Sequence, residues 1–406
     1  MRSRVYLDWN ATAPLHDAAR QAVVDALDAV GNPSSVHAEG RAARRIIEHA
    51  RVDIASLIGA GPDDIVLTSG ATEANATVLA GGWDTVFIAG FEHDSVRAAA
   101  TVSGAHIIPL ATDAAGLVNA SALIDAVLRD TRALGRALLT LQAANNETGI
   151  RQDLAPVFAF AREHGIVTHC DAVQIAGRLP FDRGTSGADL VSLSAHKLGG
   201  PKGAGALAIR DKVALSPLIV GGGQQRYRRA GTENVPGIAG FGAAARAAIA
   251  AIANAGAIAR MRDDLERRLL ALTPDAIIVG AASPRLPNTT CVALPGRLAE
   301  ILVIKFDMAG IAISAGAACS SGKVGLSPVL ASMGLPPGVV RGAVRLSLGA
   351  TTTAADIDRV CDVWAEIAHT AAARQHLHTG TSSTGVKPPA TRHAAHVAAT
   401  SAAGGD

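Results

Sequence analysis

Lys197 sits in Ser194-Ala195-His196-Lys197-Leu198-Gly199-Gly200-Pro201, just past the apolar run Ala188-Asp189-Leu190-Val191-Ser192-Leu193, which reads as a buried strand. Earlier in the chain another strand-like run, Gly165-Ile166-Val167-Thr168-His169-Cys170, ends in Asp171. A strand-end amine and a strand-end carboxylate are the pair that an aldehyde cofactor such as pyridoxal phosphate needs. The amine forms a Schiff base, and the carboxylate keeps the pyridine nitrogen protonated so that the ring can draw electrons from a bound carbanion. Taken singly, Lys197 fits an ordinary exposed lysine as well.

Other residues point to the same chemistry. Ser69-Gly70-Ala71-Thr72 precedes a helical stretch. A glycine for close approach, free helix N–H groups and the Thr72 hydroxyl would cradle a phosphate, although Ser or Thr before a helix is also an ordinary cap. Ser194 and His196 flank the lysine and could donate to the same phosphate. Gln174, shortly after Asp171, could donate to a phenolic oxygen on the ring. His93 follows the run Thr85-Val86-Phe87-Ile88-Ala89, so it could face a cleft at a strand's carboxyl end or be structural.

Of the four cysteines, Cys170, Cys291 and Cys361 lie in apolar surroundings that suit packing. Cys319 stands in Ser314-Ala315-Gly316-Ala317-Ala318-Cys319-Ser320-Ser321-Gly322-Lys323, a small-residue loop that could present a thiol as nucleophile or leave it exposed and inert. No C-x-x-C pair or zinc spacing occurs. Gly203-Ala204-Gly205-Ala206-Leu207-Ala208 imitates a dinucleotide fingerprint but leads into a strand, and Gly199–Gly203 lacks the Lys-Ser/Thr ending of a P-loop.

The elements that must position these groups alternate between helical and strand periodicity from about residue 15 to 250, the mark of an α/β fold with a mostly parallel sheet. Ile238 to Leu272 reads as helix, the segment 273–372 returns to strands and a final helix, and 376–406 reads as a disordered tail. A chain of 406 residues supports two cores; with only 3% aromatics among 49% hydrophobic residues, Ala, Val, Leu and Ile must fill them. The net charge of +2 gives no electrostatic case for nucleic acid. No apolar run of membrane-span length and no signal-peptide start is evident, so no membrane is expected and the compartment is expected to be the cytoplasm.

The ordered motifs resemble the pyridoxal-phosphate cysteine desulfurases, NifS/IscS-like members of the class-V aminotransferase family. They are Leu7-Asp8-Trp9-Asn10-Ala11-Thr12, Gly31-Asn32-Pro33-Ser34-Ser35-Val36-His37, Thr68–Glu73, Glu92-His93 and Asn145-Asn146-Glu147-Thr148-Gly149. Asp171–Gln174, Ser194–Lys197, Arg229–Asn234, Ser314–Ser321 and Val344–Gly349 complete the set, which runs from Tyr6 to about Ile367. Val173, Tyr227 and Ala317 stand where threonine, glycine and serine are frequent, and none of these changes removes a catalytic group.

The resemblance implies a fold-type I pyridoxal-phosphate transferase. An N-terminal segment 1–14 would join a small α+β domain at 256–375, the large cofactor domain would span 15–255, and the tail would be 376–406. It also implies residue roles. Lys197 binds the cofactor and moves protons at Cα, and Asp171 meets the pyridinium. Gln174 meets the ring oxygen, and His93 stacks on the ring as acid or base. Ala71, Thr72, Ser194 and His196 hold the phosphate, with Thr232 supplied by the other subunit of a homodimer. Asn146 and Arg345 receive the substrate carboxylate. Cys319 accepts sulfur as a persulfide from L-cysteine, leaving L-alanine. The persulfide then passes to an iron–sulfur scaffold or another acceptor protein. No intrinsic metal is implied, only a transient iron–sulfur contact at Cys319. A selenocysteine lyase, a small-substrate aminotransferase and a non-catalytic binding protein are the alternatives.

Overall fold

The computed structural model describes residues 4–129, 134–316 and 326–379. Strand β1 (Val5–Tyr6) opens the chain, and a seven-stranded sheet follows: β2 (Ile65–Thr68), β3 (Thr85–Ala89), β4 (His106–Leu110), β5 (Ala137–Thr140), β6 (Val167–Asp171), β7 (Leu190–Ser194) and β8 (Gly205–Ile209), in the order β2-β8-β7-β6-β5-β3-β4. Helices cover both faces, so β2, β3, β5, β7 and β8 are buried throughout and read as short apolar runs rather than alternating ones. Pairing is parallel except where β8 lies between β2 and β7, antiparallel to both. The other six strands therefore end at one edge of the sheet. That edge carries the residues leaving β2, β3, β6 and β7, where ligands gather in α/β folds.

Glycine makes one close approach possible there. A Cβ on Gly205 would lie 2.5 Å from Gly70 Cα, so only glycine lets β8 pass beneath the turn that opens helix Ala71–Leu79. A second close approach joins helices. Val235–Ala251 packs on Asp17–Leu27 and Ala38–Leu57, with Gly242 against Ala50. This alanine-rich helix continues through Ile252–Asn254 into Ala255–Leu272. The expectation of no span-length apolar run is corrected here: Val235–Leu272 has that length and composition, and 56% of its apolar window is buried inside the molecule. Alanine gives it hydropathy and also lets neighbouring helices pack close to it.

A second core gathers Leu7, Leu265, Phe306, Leu346 and Trp364 around a smaller sheet. Its strands are β9 (Ile277–Ile278), β10 (Thr289–Ala293), β12 (Ser314–Ala315) and β13 (Ala343–Ser347), antiparallel in the order β12-β13-β10-β9. β1 pairs in parallel with β11 (Ile311–Ala312), and Asp8 bridges to Ser347, so the N-terminal segment is stitched to this second sheet. The last helix, Ala354–Thr379, runs past residue 376 into the stretch expected to be tail; residues 380–406 lie outside the described residues.

Candidate active site

A cleft of about 680 Å³ opens at the carboxyl edge of the large sheet, with Asp8, Ser314 and Arg345 closing it from the smaller one. Lys197 enters it from the single turn Ala195–Lys197 that follows β7. Its Nζ donates to the carbonyls of Asn10 at 2.6 Å and Ala11 at 2.9 Å. Those carbonyls belong to the N-terminal segment, whose turn is held by the Tyr6 hydroxyl donating to the carbonyls of Asp8 and Thr12.

Asp171, the last residue of β6, is nearly buried. Its Oδ1 accepts from the Val173 N–H at 3.0 Å and its Oδ2 from Asn75 Nδ2 at 3.1 Å. Gln174 donates from Nε2 to the Asn10 carbonyl at 3.1 Å, and its buried Oε1 has no partner among the described residues. Behind Asp171, His169 lies between the hydroxyls of Thr140 and Ser192 at 2.8 and 2.9 Å. Burial drives this imidazole's pKa down to about 4, so it stays neutral inside the sheet.

His93 caps helix Asp94–Val102, its Nδ1 accepting from the Ser95 N–H at 3.1 Å. An accepting Nδ1 leaves the proton of the neutral ring on Nε2. The adjacent Glu92 is buried, with Oε1 taking the Gln142 N–H at 2.8 Å; burial raises its pKa well above the carboxylate range.

The other end of the cleft is built for an anion. Ser69, Gly70, Ala71 and Thr72 present the start of a nine-residue helix, with Ser194, His196, Lys202 and Gly203 opposite. Burial, then the positive charges of Lys197, Lys202 and Arg178, push the His196 pKa down to about 4. Arg229 clamps Glu73, whose carboxylate accepts from the Ser69 N–H and so fixes the turn.

Arg345, at the middle of β13, donates from Nη1 to the Asn146 carbonyl at 2.9 Å and from Nη2 to Asp8 Oδ1 at 2.6 Å. The same Asp8 oxygen accepts from Ser314 Oγ at 2.8 Å. Arg345 Nε is buried without a partner among the described residues, and Nη1 and Nη2 each spend one of their two N–H groups on these contacts, so the guanidinium keeps donors for a ligand.

The structure brings His93, Ala71, Thr72, Asn146, Asp171, Gln174, Ser194, His196, Lys197 and Arg345 into this one cleft. Thr232 is exposed and does not line it. Cys319 lies outside the described residues. Sequence reasoning assigned no role to Asp8, Asn10, Asn75 or Ser95. Asp8 and Asn10 stand inside the Leu7–Thr12 motif and could have been found there; Asn75 and Ser95 carry no local signal.

A mostly parallel α/β sheet with a lysine, a carboxylate and an anion-binding helix start at its carboxyl edge defines a class of covalent-cofactor enzymes. Residues 5–360 match the family described as aminotransferase class-V, and the chain belongs to it. A cysteine desulfurase from Cereibacter sphaeroides is 42% identical over 373 residues, covering 89% of this chain and 94% of that one. A NifS-like protein from Rickettsia africae superposes with a TM-score of 0.83 at 32% identity, covering 90% of this chain and 99% of that one. A structure of SspA in complex with cysteine matches with a TM-score of 0.72 at 29% identity, covering 85% and 98%.

The family's enzymes use pyridoxal 5′-phosphate, and the cleft fits that group. Gln174 is buried against the cleft, and its Nε2 carries a second proton besides the one given to the Asn10 carbonyl, which suits the ring oxygen. Gly70 has open space on its Cβ side, and the charges that depress His196 would welcome a phosphate.

Proposed function

We propose that this chain is a cysteine desulfurase, converting L-cysteine to L-alanine and carrying the sulfur on Cys319. The observation that carries the reading is the convergence of Lys197, Asp171 and Arg345 on one cleft from two different sheets. Lys197 would hold the cofactor aldehyde, Asp171 its ring nitrogen, Gln174 its ring oxygen, and Ala71, Thr72, Ser194 and His196 its phosphate. When bound, the cofactor makes the substrate's Cα proton acidic and its Cβ–S bond labile.

Arg345 and Asn146 take the substrate carboxylate, with the guanidinium already fixed by Asp8 and the Asn146 carbonyl. Lys197 moves the proton at Cα, and His93 offers its Nε2 proton over the reacting atoms. The Cys319 thiolate forms a bond to the substrate sulfur as Cβ–S breaks. The electron pair of that bond stays with the carbon, which takes a proton to become alanine's methyl group.

The persulfide left on Cys319 is then handed to an iron–sulfur scaffold or another acceptor protein. A homodimer is part of the reading, supported by the exposed Thr232. So is a cytoplasmic setting, where thiols stay reduced; Cys170, Cys291 and Cys361 are free. The division into 15–255 and 256–375 with 1–14 is supported by the two separate cores.

The test is incubation with L-cysteine followed by mass spectrometry of alanine and of the Cys319 peptide. The parent should release alanine and carry a persulfide. Cys319→Ser should bind the cofactor and cysteine yet release almost no alanine. Undiminished alanine release by Cys319→Ser would move the assignment to the lyase alternative.

A further inference from the structure

Asn75 lies fully buried about one turn into helix Ala71–Leu79, whose first residues form the anion end of the cleft. Its amide nitrogen uses both protons, one on Asp171 Oδ2 at 3.1 Å and one on Ser95 Oγ at 2.9 Å. Ser95 Oγ in turn lies 2.8 Å from His93 Nδ1. Because Nδ1 accepts the Ser95 N–H it carries no proton of its own, so the Ser95 hydroxyl, which receives from Asn75, is the donor to Nδ1.

Donation thus runs outward from Asn75 in two directions, to the carboxylate and, through one hydroxyl, to the imidazole. The arrangement has a cost: Asn75 Oδ1 is buried with no partner among the described residues. An aliphatic side chain would avoid that cost, and turning the amide over would set its oxygen against the Asp171 carboxylate.

We propose that Asn75 is a positioning residue that sets Asp171 and, through Ser95, His93 against each other as one unit, on the helix that also presents the phosphate cradle. The inference rests on the reading that this cleft holds pyridoxal phosphate with Asp171 and His93 at its ring. It gives one helix two duties, with anion binding at its first turn and alignment of the ring's partners at its second.

The test uses the full chain as parent, Asn75→Ala, Ser95→Ala and the double variant, each titrated with pyridoxal phosphate. Affinity is read from visible absorbance, together with the pH midpoint of the bound cofactor's visible band; melting of the unloaded proteins is recorded in parallel. Asn75→Ala should weaken cofactor binding about tenfold or more and move the midpoint. Ser95→Ala should move the midpoint with a smaller loss of affinity. The double variant should be no worse than Asn75→Ala, because both changes cut one chain of donors.

An Asn75→Ala protein that melts lower but keeps the parent's affinity and midpoint would overturn the proposal, as would fully additive effects. If Asn75→Ala does not fold, an unmoved midpoint in Ser95→Ala overturns it. A parent that gains no visible absorbance would instead overturn the cofactor reading.

Discussion

Arg345→Lys separates recognition of the substrate carboxylate from everything else the arginine does. The arginine is almost wholly buried and paired with Asp8, whose side chain is 18% exposed. Arg345→Ala would strand that carboxylate, and breaking a buried pair costs about 3–5 kcal/mol of stability, enough to blur any kinetic result. Lysine keeps a positive charge beside Asp8 but has no planar fork.

The free Nε–H and the neighbouring Nη2 edge give arginine two parallel donors for a carboxylate, and lysine gives at most one. Losing one charge-assisted hydrogen bond is worth about 1.5–3 kcal/mol, or roughly 10- to 150-fold in KM. Alanine release should therefore be titrated against cysteine at saturating cofactor, with cofactor content and melting temperature measured on the same samples. KM should rise by at least about tenfold, while kcat changes far less and cofactor content holds. An unchanged KM with lost cofactor would place Arg345 at the phosphate end and refute the argument.

Borohydride reduction of the yellow protein followed by peptide mapping should find the pyridoxyl group on Lys197; an adduct on Lys202, which lines the same cleft, would overturn that assignment. Glu147 offers a prediction about pH. Burial lifts its pKa from 4.5 to about 7, against the pull of its hydrogen bond from Ser327 and the charge of Arg345. The folded chain holds this proton longer than the unfolded one, so the stability it contributes is full below pH 4.5 and is lost as pH climbs to about 7. Glu147→Gln should gain on the parent across that window by up to about 3 kcal/mol in urea unfolding, and a pH-independent difference would refute the burial argument.

Much of this architecture was legible because the large sheet is buried on both faces. Runs such as Thr85–Ala89 and Leu190–Ser194 declare themselves by apolar continuity, and the site residues follow directly after them. Strand direction is another matter. β8 looks like its neighbours in composition, and only the tight turn at Gly199–Gly203, too short for a crossover, reverses it.

Pairs made across the chain left no trace in local pattern. Asp8 and Arg345 are 337 positions apart, and nothing near either names the other. Asn75, inside Ala74-Asn75-Ala76, looks like an ordinary helix residue, since the two groups it serves come from β6 and from the helix after β3. The alanine-rich stretch reads as helix but its span-like length and hydropathy were overlooked, because alanine raises the mean hydropathy of Val235–Leu272 without any long run of large apolar side chains.

The segment from Asp8 to Thr12 has a consequence for how the molecule comes apart. It is tied to the smaller sheet at Ser347 and Arg345, and to the larger one where its carbonyls receive Lys197 and Gln174. Neither core can melt alone without releasing this strap, and releasing it unseats the lysine and the arginine together. Heating should give a single cooperative transition spanning both cores, with the Lys197 environment and global helicity lost at the same temperature. Catalytic competence and the mutual docking of the two halves are thus one thermodynamic quantity in this chain.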